Sequence, residues 1–292
     1  MFNVVKYTQS LVQFNTINPP GHEEDCIMFA ANTLQQAGFH IAKQPFGEKR
    51  MNVVASLPGL DEKLDPLVLT GHLDTVPLGE SDWTYSPFDG DIIGDKLYGR
   101  GSTDMKGGVA AMIGAALQLN INSKGKPKRG ITLVLTSGEE TGCTGARELI
   151  DNGLALLGNA SAMVVGEPTA NKISTAHKGV LFIKAIAKGV TAHSSQPELG
   201  DNAIYKVAKA ISKIEKYEFS GQPHPQLGQP SINVGMISGG MNVNSVPDHA
   251  QFSIDIRTNS TRKHQDFVTD LSAFLGDNIE LKTFADMAAI ST

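Results

Sequence analysis

The sequence is poor in several features that mark whole classes of protein. It has only two cysteines, Cys26 and Cys143, too few for a disulfide framework. No apolar run approaches the ~18 residues of a membrane helix. Met1-Phe-Asn-Val-Val-Lys-Tyr7 lacks the pattern of a signal peptide. The expectation is a cytoplasmic protein without a membrane partner. A net charge of −5 supplies no basic footprint, so nucleic acid is not an expected partner either. No glycine-rich phosphate loop follows the first strand, which disfavours a nucleotide-binding α/β protein. Internal repeats and low-complexity segments are absent. What remains is an ordinary globular composition, 40% hydrophobic and 19% charged, in 292 residues, a length that suits about two domains.

The most informative stretch is Leu67-Val-Leu-Thr-Gly-His-Leu-Asp-Thr-Val-Pro77. Four apolar or β-branched residues predict a short buried strand, and His72 and Asp74 follow it at once. Residues two apart in an extended chain point the same way. The pair therefore leaves the carboxyl end of a strand together. It suits a metal-bound imidazole with an acidic neighbour holding its ring, although a surface His beside a solvated Asp has the same sequence.

Two further strands end in acids. Gly130–Gly138 runs into Glu139-Glu140, and Ala162–Gly166 into Glu167-Pro-Thr169. Asp104 precedes an apolar helix over Val109–Leu119. An N-cap explains that aspartate, but flanking glycines also let backbone approach something closely. Amphipathic helices are expected over Asn3–Gln13 and Glu23–Ala37, with strands over Phe39–Lys43 and Met51–Leu57. Alternating strands and helices predict an α/β domain with a mostly parallel sheet flanked by helices. Its strand ends bring His72, Asp104, Glu139, Glu140 and Glu167 to one edge.

After Lys178-Gly179 the pattern becomes β-α-β-β-α-β, the order of a small ferredoxin-like α+β domain. The strands are Val180–Ala187, Ser231–Ile237, Ala250–Arg257 and Ile279–Thr283. The helices are Ile204–Lys216 and Thr261–Leu275. The expected domains are residues 1–178 and 179–292.

Several carboxylates in one crevice disfavour joint ionisation, and a divalent cation relieves this. One His among carboxylates suits Zn2+, and also Co2+ or Mn2+. Such a cation makes water a nucleophile near neutral pH, and a carboxylate that is not a ligand can take its proton. Adjacent side chains diverge, so the pair Glu139-Glu140 can supply one ligand and one base.

These stretches resemble the metallopeptidase family of acetylornithine deacetylase, succinyl-diaminopimelate desuccinylase, aminoacylase-1 and glutamate carboxypeptidase. The resemblance is carried by Asn18-Pro-Pro-Gly21, Gly71-His-Leu-Asp-Thr-Val-Pro77, Tyr98-Gly-Arg-Gly-Ser-Thr-Asp-Met-Lys-Gly-Gly108, Thr136-Ser-Gly-Glu-Glu140 and Gly166-Glu-Pro-Thr169. Further along, Ala192-His193-Ser, Pro197, Gly200-Asp-Asn-Ala203 and Asn244 through Arg257 also fit. It implies a zinc-peptidase-like catalytic domain with an inserted lid or dimerisation domain. It implies one metal held by His72, Asp104 and Glu167, with Asp104 bridging to a second held by Glu140. Glu139 would be general base, and Asp74 the partner of His72. A cis peptide would join Asp104 to Met105.

In the same way it implies that His193, which otherwise reads as a solvated loop residue, reaches the active site of a partner subunit and stabilises the oxyanion. Asn244 and Arg257 would bind the substrate carboxylate or the polarised carbonyl. Arg100 is expected to be structural, and Lys178 is left without a role.

The family's catalytic domain resumes after the small domain and supplies a final His to the second metal. This sequence stops at Thr292, where that return begins. The expectation is a fragment or a truncated, impaired homologue, with an apolar scar where returning structure covers the large domain. The activity implied is metal-dependent hydrolysis of an amide in a small N-acylated amino acid or peptide, by a homodimer joined through the lid. The alternative is a catalytically impaired binding or dimerisation module.

Overall fold

A computed structural model describes residues 2–125 and 127–292. The chain divides into two compact units, Met1–Asn171 and Lys172–Thr292. The division falls earlier than the expected break near Gly179, and strand pairing supplies the reason. The short strand Ala176–His177 pairs antiparallel with Ile290–Ser291, which ties the linker to the second unit.

The first unit contains α1 (Val4–Val12), α2 (Glu24–Gln36), β1 (His40–Pro45), β2 (Met51–Leu57), β3 (Leu67–His72), β4 (Ile92–Ile93) and β5 (Lys96–Leu97). These are followed by α3 (Lys106–Asn122), β6 (Ile131–Thr136), α4 (Thr144–Asn152), α5 (Leu154–Leu157) and β7 (Ala162–Val165). The main sheet has the order β1-β2-β6-β3-β7. It is mixed, which corrects the expectation of a mostly parallel sheet. β1 and β2 are joined by a short connection, which only antiparallel neighbours allow, and β2 pairs antiparallel with β6. The parallel part is β6-β3-β7. Those three strands are the ones that end in His72, Glu139-Glu140 and Glu167.

Local chemistry places the helices. The Asn3 side chain caps α1 by accepting from Lys6 N at 3.0 Å. Gly38, at φ +90°, adopts the left-handed turn that stops the chain after α2, and Phe39 N donates back to Leu34 O. α3 leaves Ala111, Ala115, Leu119 and Ile121 exposed and turns its other side inward, with Val109, Ala110, Ile113 and Ala116 fully enclosed. They pack with Leu11, Ile27, Leu34, Val53, Leu133 and Leu135 into one core. A Cβ at Gly108 would collide with Gly166 O, so glycine lets α3 seat its first turn against the residue before Glu167. The Asp104–Met105 peptide is cis, as are Asn18–Pro19 and Pro19–Pro20.

β7 is an edge strand, and its side chains are exposed: Met163 at 59%, Val164 at 48% and Val165 at 54%. Its apolar sequence reads as a buried strand, but only its neighbour β3 covers it. Ile150 and Leu154 on α4 and α5 are exposed as well.

The second unit contains β8 (Ala176–His177), β9 (Gly179–Lys188), α6 (Ala203–Ile214), β10 (Ser231–Gly239), β11 (His249–Thr258), α7 (His264–Leu275), β12 (Glu280–Met287) and β13 (Ile290–Ser291). β9 to β12 form an antiparallel sheet in the order β10-β11-β9-β12. With one helix in each crossover, this is the ferredoxin-like arrangement. Alternate residues of β9 and β11 face inward, among them Leu181, Ile183, Phe252 and Ile254, and pack with Val207 of α6 and Phe267 and Leu271 of α7.

Candidate metal centre

The cluster is built where the parallel strands end. β3 delivers His72, which is 2% exposed, and Asp74, which is fully buried. The His72 Nδ1 lies 3.0 Å from the main-chain carbonyl of Asp74. A carbonyl only accepts, so Nδ1 carries a hydrogen and Nε2 is left for other partners. Three carboxylates surround Nε2: Asp104 Oδ1 at 3.3 Å, Glu167 Oε1 at 3.7 Å and Glu139 Oε2 at 4.0 Å. Glu140 joins His72 and Asp104 in a set whose donor atoms all lie within 4.8 Å of one another.

The Asp74 carboxylate does more than accompany the ring. It stands 3.4 Å from His72 Nδ1 through Oδ1. Oδ1 also accepts from Glu139 N at 3.1 Å, and Oδ2 from Glu140 N at 3.1 Å and Asn18 Nδ2 at 2.9 Å. Asp74 thus ties the strand bearing the imidazole to the backbone of both glutamates. Leaving such buried N–H groups unpaired costs about 1–3 kcal/mol each. Asn18 and the peptide bonds of Glu139 and Glu140 were not assigned roles from sequence. Their only signal there is the Asn18-Pro-Pro-Gly21 stretch.

The electrostatics follow from this crowding. Burial opposes charge on His72, but hydrogen bonds that its ring donates to Asp104 and Asp74 outweigh it and raise its pKa to about 11. The His72 hydrogen bond holds Asp104 below the usual carboxylate range. Burial works against Asp74, yet His72 and Asn18 still lower its pKa. Glu140 and Glu167 go the other way: burial, with like charge from Asp104 and Glu139, pushes each up to about 7. The cluster therefore draws positive charge onto Nε2 and has more carboxylates than that one proton neutralises. This donor set of one imidazole and several oxygens fits a divalent cation.

Elsewhere in the first unit, Arg100 Nη2 donates to Pro77 O at 3.0 Å, and its guanidinium lies 4.9 Å from the Trp83 ring. Cys143 Sγ lies 3.6 Å from Glu139 Oε1. Lys106 is fully buried and donates to Phe14 O at 2.8 Å.

In the second unit the structure brings His193 and Asn244 together. Ser194 N donates to Asn244 O at 3.1 Å, and Val246 N to Ala192 O at 2.8 Å. Ser195 N donates to His193 Nδ1 at 3.2 Å, so in the neutral ring Nε2 carries the hydrogen. Arg257 is not with them. Asn244 lies in the hairpin before β11, and Arg257 is near that strand's far end, a run of about 27 Å. Arg257 Nε also donates to both carboxylate oxygens of Asp255, at 3.0 and 3.1 Å. His264 has both ring nitrogens engaged, with Thr258 Oγ1 and Asp286 Oδ1, each at 2.6 Å. Lys178 Nζ donates to Gln229 O at 2.6 Å.

Three strand ends and the turn before α3 bring one imidazole and four carboxylates together, a donor set suited to a divalent cation. The sequence pattern of peptidase family M20/M25/M40 matches residues 68–282, and the chain belongs to that family. It is 32% identical over 282 residues to a probable succinyl-diaminopimelate desuccinylase of Staphylococcus epidermidis, covering 87% of this chain and 67% of that one. It is 32% identical over 272 residues to a probable carboxypeptidase of Aspergillus terreus, covering 87% of this chain and 60% of that one. The chain spans 56–67% of the length of such curated relatives. Among solved structures, the M20 family metallo-carboxypeptidase Sso-CP2 of Sulfolobus solfataricus shares the fold with a TM-score of 0.78 and 18% identity, over 99% of this chain and 79% of that one. A tripeptidase of Staphylococcus aureus does so with a TM-score of 0.72 and 24% identity, over 100% and 78%.

Proposed function

We propose that the chain hydrolyses an amide bond in small N-acylated amino acids or short peptides, in the manner of the desuccinylases and carboxypeptidases it is similar to. The observation that carries this is the convergence of His72, Asp104, Glu139, Glu140 and Glu167 around one imidazole nitrogen. In this reading His72, Asp104 and Glu167 hold one divalent cation, and Asp104 with Glu140 can attract a second. Zn2+ is the cation we assign, with Co2+ or Mn2+ as substitutes. When bound, such a cation lowers the pKa of water and polarises a carbonyl.

The protein's own groups do the rest. Glu139, held by the Cys143 thiol and by its own backbone bond to Asp74, takes the proton of the attacking water and returns it to the departing amine. Asp74 keeps a hydrogen on His72 Nδ1, so that Nε2 faces the carboxylates. On the second unit, the His193 Nε2–H is a donor suited to a developing oxyanion. Asn244 stands beside it as a substrate contact. Arg257, at the other end of β11, binds a carboxylate at a separate point by exchanging it for Asp255. We assign a homodimer with His193 reaching the partner's site, as the family resemblance implies. Edge strand β10 supports that assembly: Met236 is 72% exposed and Ile237 59%, and its outer backbone is free to pair. Two unpaired thiols suit the cytoplasm.

The test is a substrate panel with the chelated chain reloaded with Zn2+ or Co2+. The panel contains N-succinyl-diaminopimelate, N-acetylornithine, other N-acyl amino acids and dipeptides. Release of free amine from at least one, lost on chelation, is expected. A chain that takes up cation but hydrolyses none of them supports the binding-module reading instead.

Cation stoichiometry is a second test. Among the described residues of the first unit, His72 is the only imidazole in the cluster, so a second cation is held by carboxylates alone. Elemental analysis is expected to find one tightly held divalent cation per chain, with a second lost on dialysis. Two tight equivalents would show that a further strong ligand reaches the site.

A further inference from the structure

The segment before α2 reaches into the centre from outside the sheet. Thr16–Asn18 lies alongside Leu73–Thr75: Thr75 N donates to Thr16 O at 3.0 Å, Asn18 N to Thr75 O at 2.8 Å, and Thr16 Oγ1 to Leu73 O at 2.6 Å. This strap buries Asn18, which is 3% exposed, against the Asp74 carboxylate. A carboxylate accepts, so the atom facing it is the amide nitrogen. That nitrogen has two hydrogens and both are used: one goes to Asp74 Oδ2 at 2.9 Å, the other to Thr141 Oγ1 at 2.8 Å.

Thr141 belongs to the turn that carries Glu139 and Glu140. The turn therefore has two independent ties to the β3 end, the peptide N–H groups on Asp74 and the Thr141 hydroxyl on Asn18. With Asn18 present, Asp74 has four donors around its two oxygens, counting His72 Nδ1 at 3.4 Å. A second contact comes from the same N-terminal loop. A Cβ at Gly21 or at Gly138 would press on the Arg50 guanidinium, which is held by Glu23 at 2.8 Å, so Arg50 fills the space between that loop and the start of the turn.

We propose that Asn18 is a positioning residue for the metal centre. Its side-chain amide locks the Glu139–Thr141 turn to the His72–Asp74 strand end, and so sets where the base and one oxygen ligand stand. The turn's other ties are backbone ones, Glu139 N and Glu140 N to Asp74 and Gly142 N and Cys143 N to Glu139 O, while Thr141 is exposed and Gly138 and Gly142 both have positive φ. Without the amide, Asp74 keeps its own backbone donors but the turn loses its side-chain tie. The functional consequence rests on the metal-centre reading above, whereas the placement of the turn does not.

The experiment is amide hydrogen exchange on the cation-free full chain, comparing wild type with Asn18→Ala and Thr141→Val. Exchange at Glu139 and Glu140 is expected to quicken at least ~10-fold in Asn18→Ala, while amides of β2 and β6 stay at wild-type rates. Wild-type rates at Glu139 and Glu140 overturn the proposal. Uniform acceleration across β2, β6 and the turn also overturns it, because Asn18 is then a general support of the fold. If Asn18→Ala fails to fold, Thr141→Val, which removes only the turn's side-chain tie, is judged by the same two criteria. A Co2+ titration followed by visible absorbance forms the second arm, with about 10-fold weaker uptake expected in Asn18→Ala. Wild type that takes up no Co2+ refutes the metal reading and leaves exchange to decide the role of Asn18.

Discussion

Glu139→Ala is expected to lower kcat by roughly 100- to 10,000-fold, the usual worth of a positioned general base, while the chain keeps its tightly held cation. The geometry separates the two roles. Glu139 Oε2 is 4.0 Å from His72 Nε2, farther than Asp104 at 3.3 Å and Glu167 at 3.7 Å. Its other oxygen is engaged by Cys143. Its backbone N–H, which donates to Asp74, survives truncation of the side chain. The turn should therefore stay in place when the carboxylate is gone. Glu167→Ala is expected to do the opposite and weaken cation binding, because it removes an oxygen beside Nε2. The check is kcat and KM on whichever amide the panel identifies, with elemental analysis of both variants. Equal loss of cation in the two would mean that base and ligand are misassigned.

Loading the cation-free chain with Zn2+ at pH 7 is expected to release about two protons per cation. One comes from His72, whose pKa of about 11 in the cation-free cluster keeps Nε2 protonated at that pH. The remainder comes from Glu140 and Glu167, each near half-protonated because its pKa is raised to about 7. Affinity should accordingly fall as pH drops through about 7. The same shifts bear on the stability of the cation-free chain. Glu140 and Glu167 have raised pKa values, so their stabilising contribution is present at low pH and fades as pH rises toward about 7. The contribution of His72 is complete below its unfolded value, fades as pH rises above it and is gone once pH passes about 11. Asp104 and Asp74 are lowered, so theirs is lost when acid protonates them. Calorimetric titration in buffers of different ionisation enthalpy counts the protons. Uptake with no proton release, or affinity flat between about pH 5.5 and 8, would refute this account.

The sequence by itself determined which residues could meet. Apolar, β-branched runs form strands, and a strand followed at once by His72, Glu139-Glu140 or Glu167 must present that residue at its carboxyl end. Strand–helix alternation then puts those ends on one edge, because β3, β6 and β7 are parallel. The β-α-β-β-α-β order of the second half was legible for the same reason, since each period is local. The parts that rest on pairing between distant segments were not. Whether β1 and β2 join the sheet antiparallel depends on register between strands. Whether the apolar β7 is covered depends on what lies beside it. The 176–177 pairing that moves the division between units spans more than a hundred residues. Asn244 and Arg257 are close in sequence, yet an extended strand carries them apart. The four donors on Asp74 come from residues 18, 72, 139 and 140, and hydrogen bonds between such segments leave no periodicity to read. Tertiary structure alone turned a carboxylate two residues from a histidine into the joint that holds the strand end, the N-terminal strap and the glutamate turn in one place.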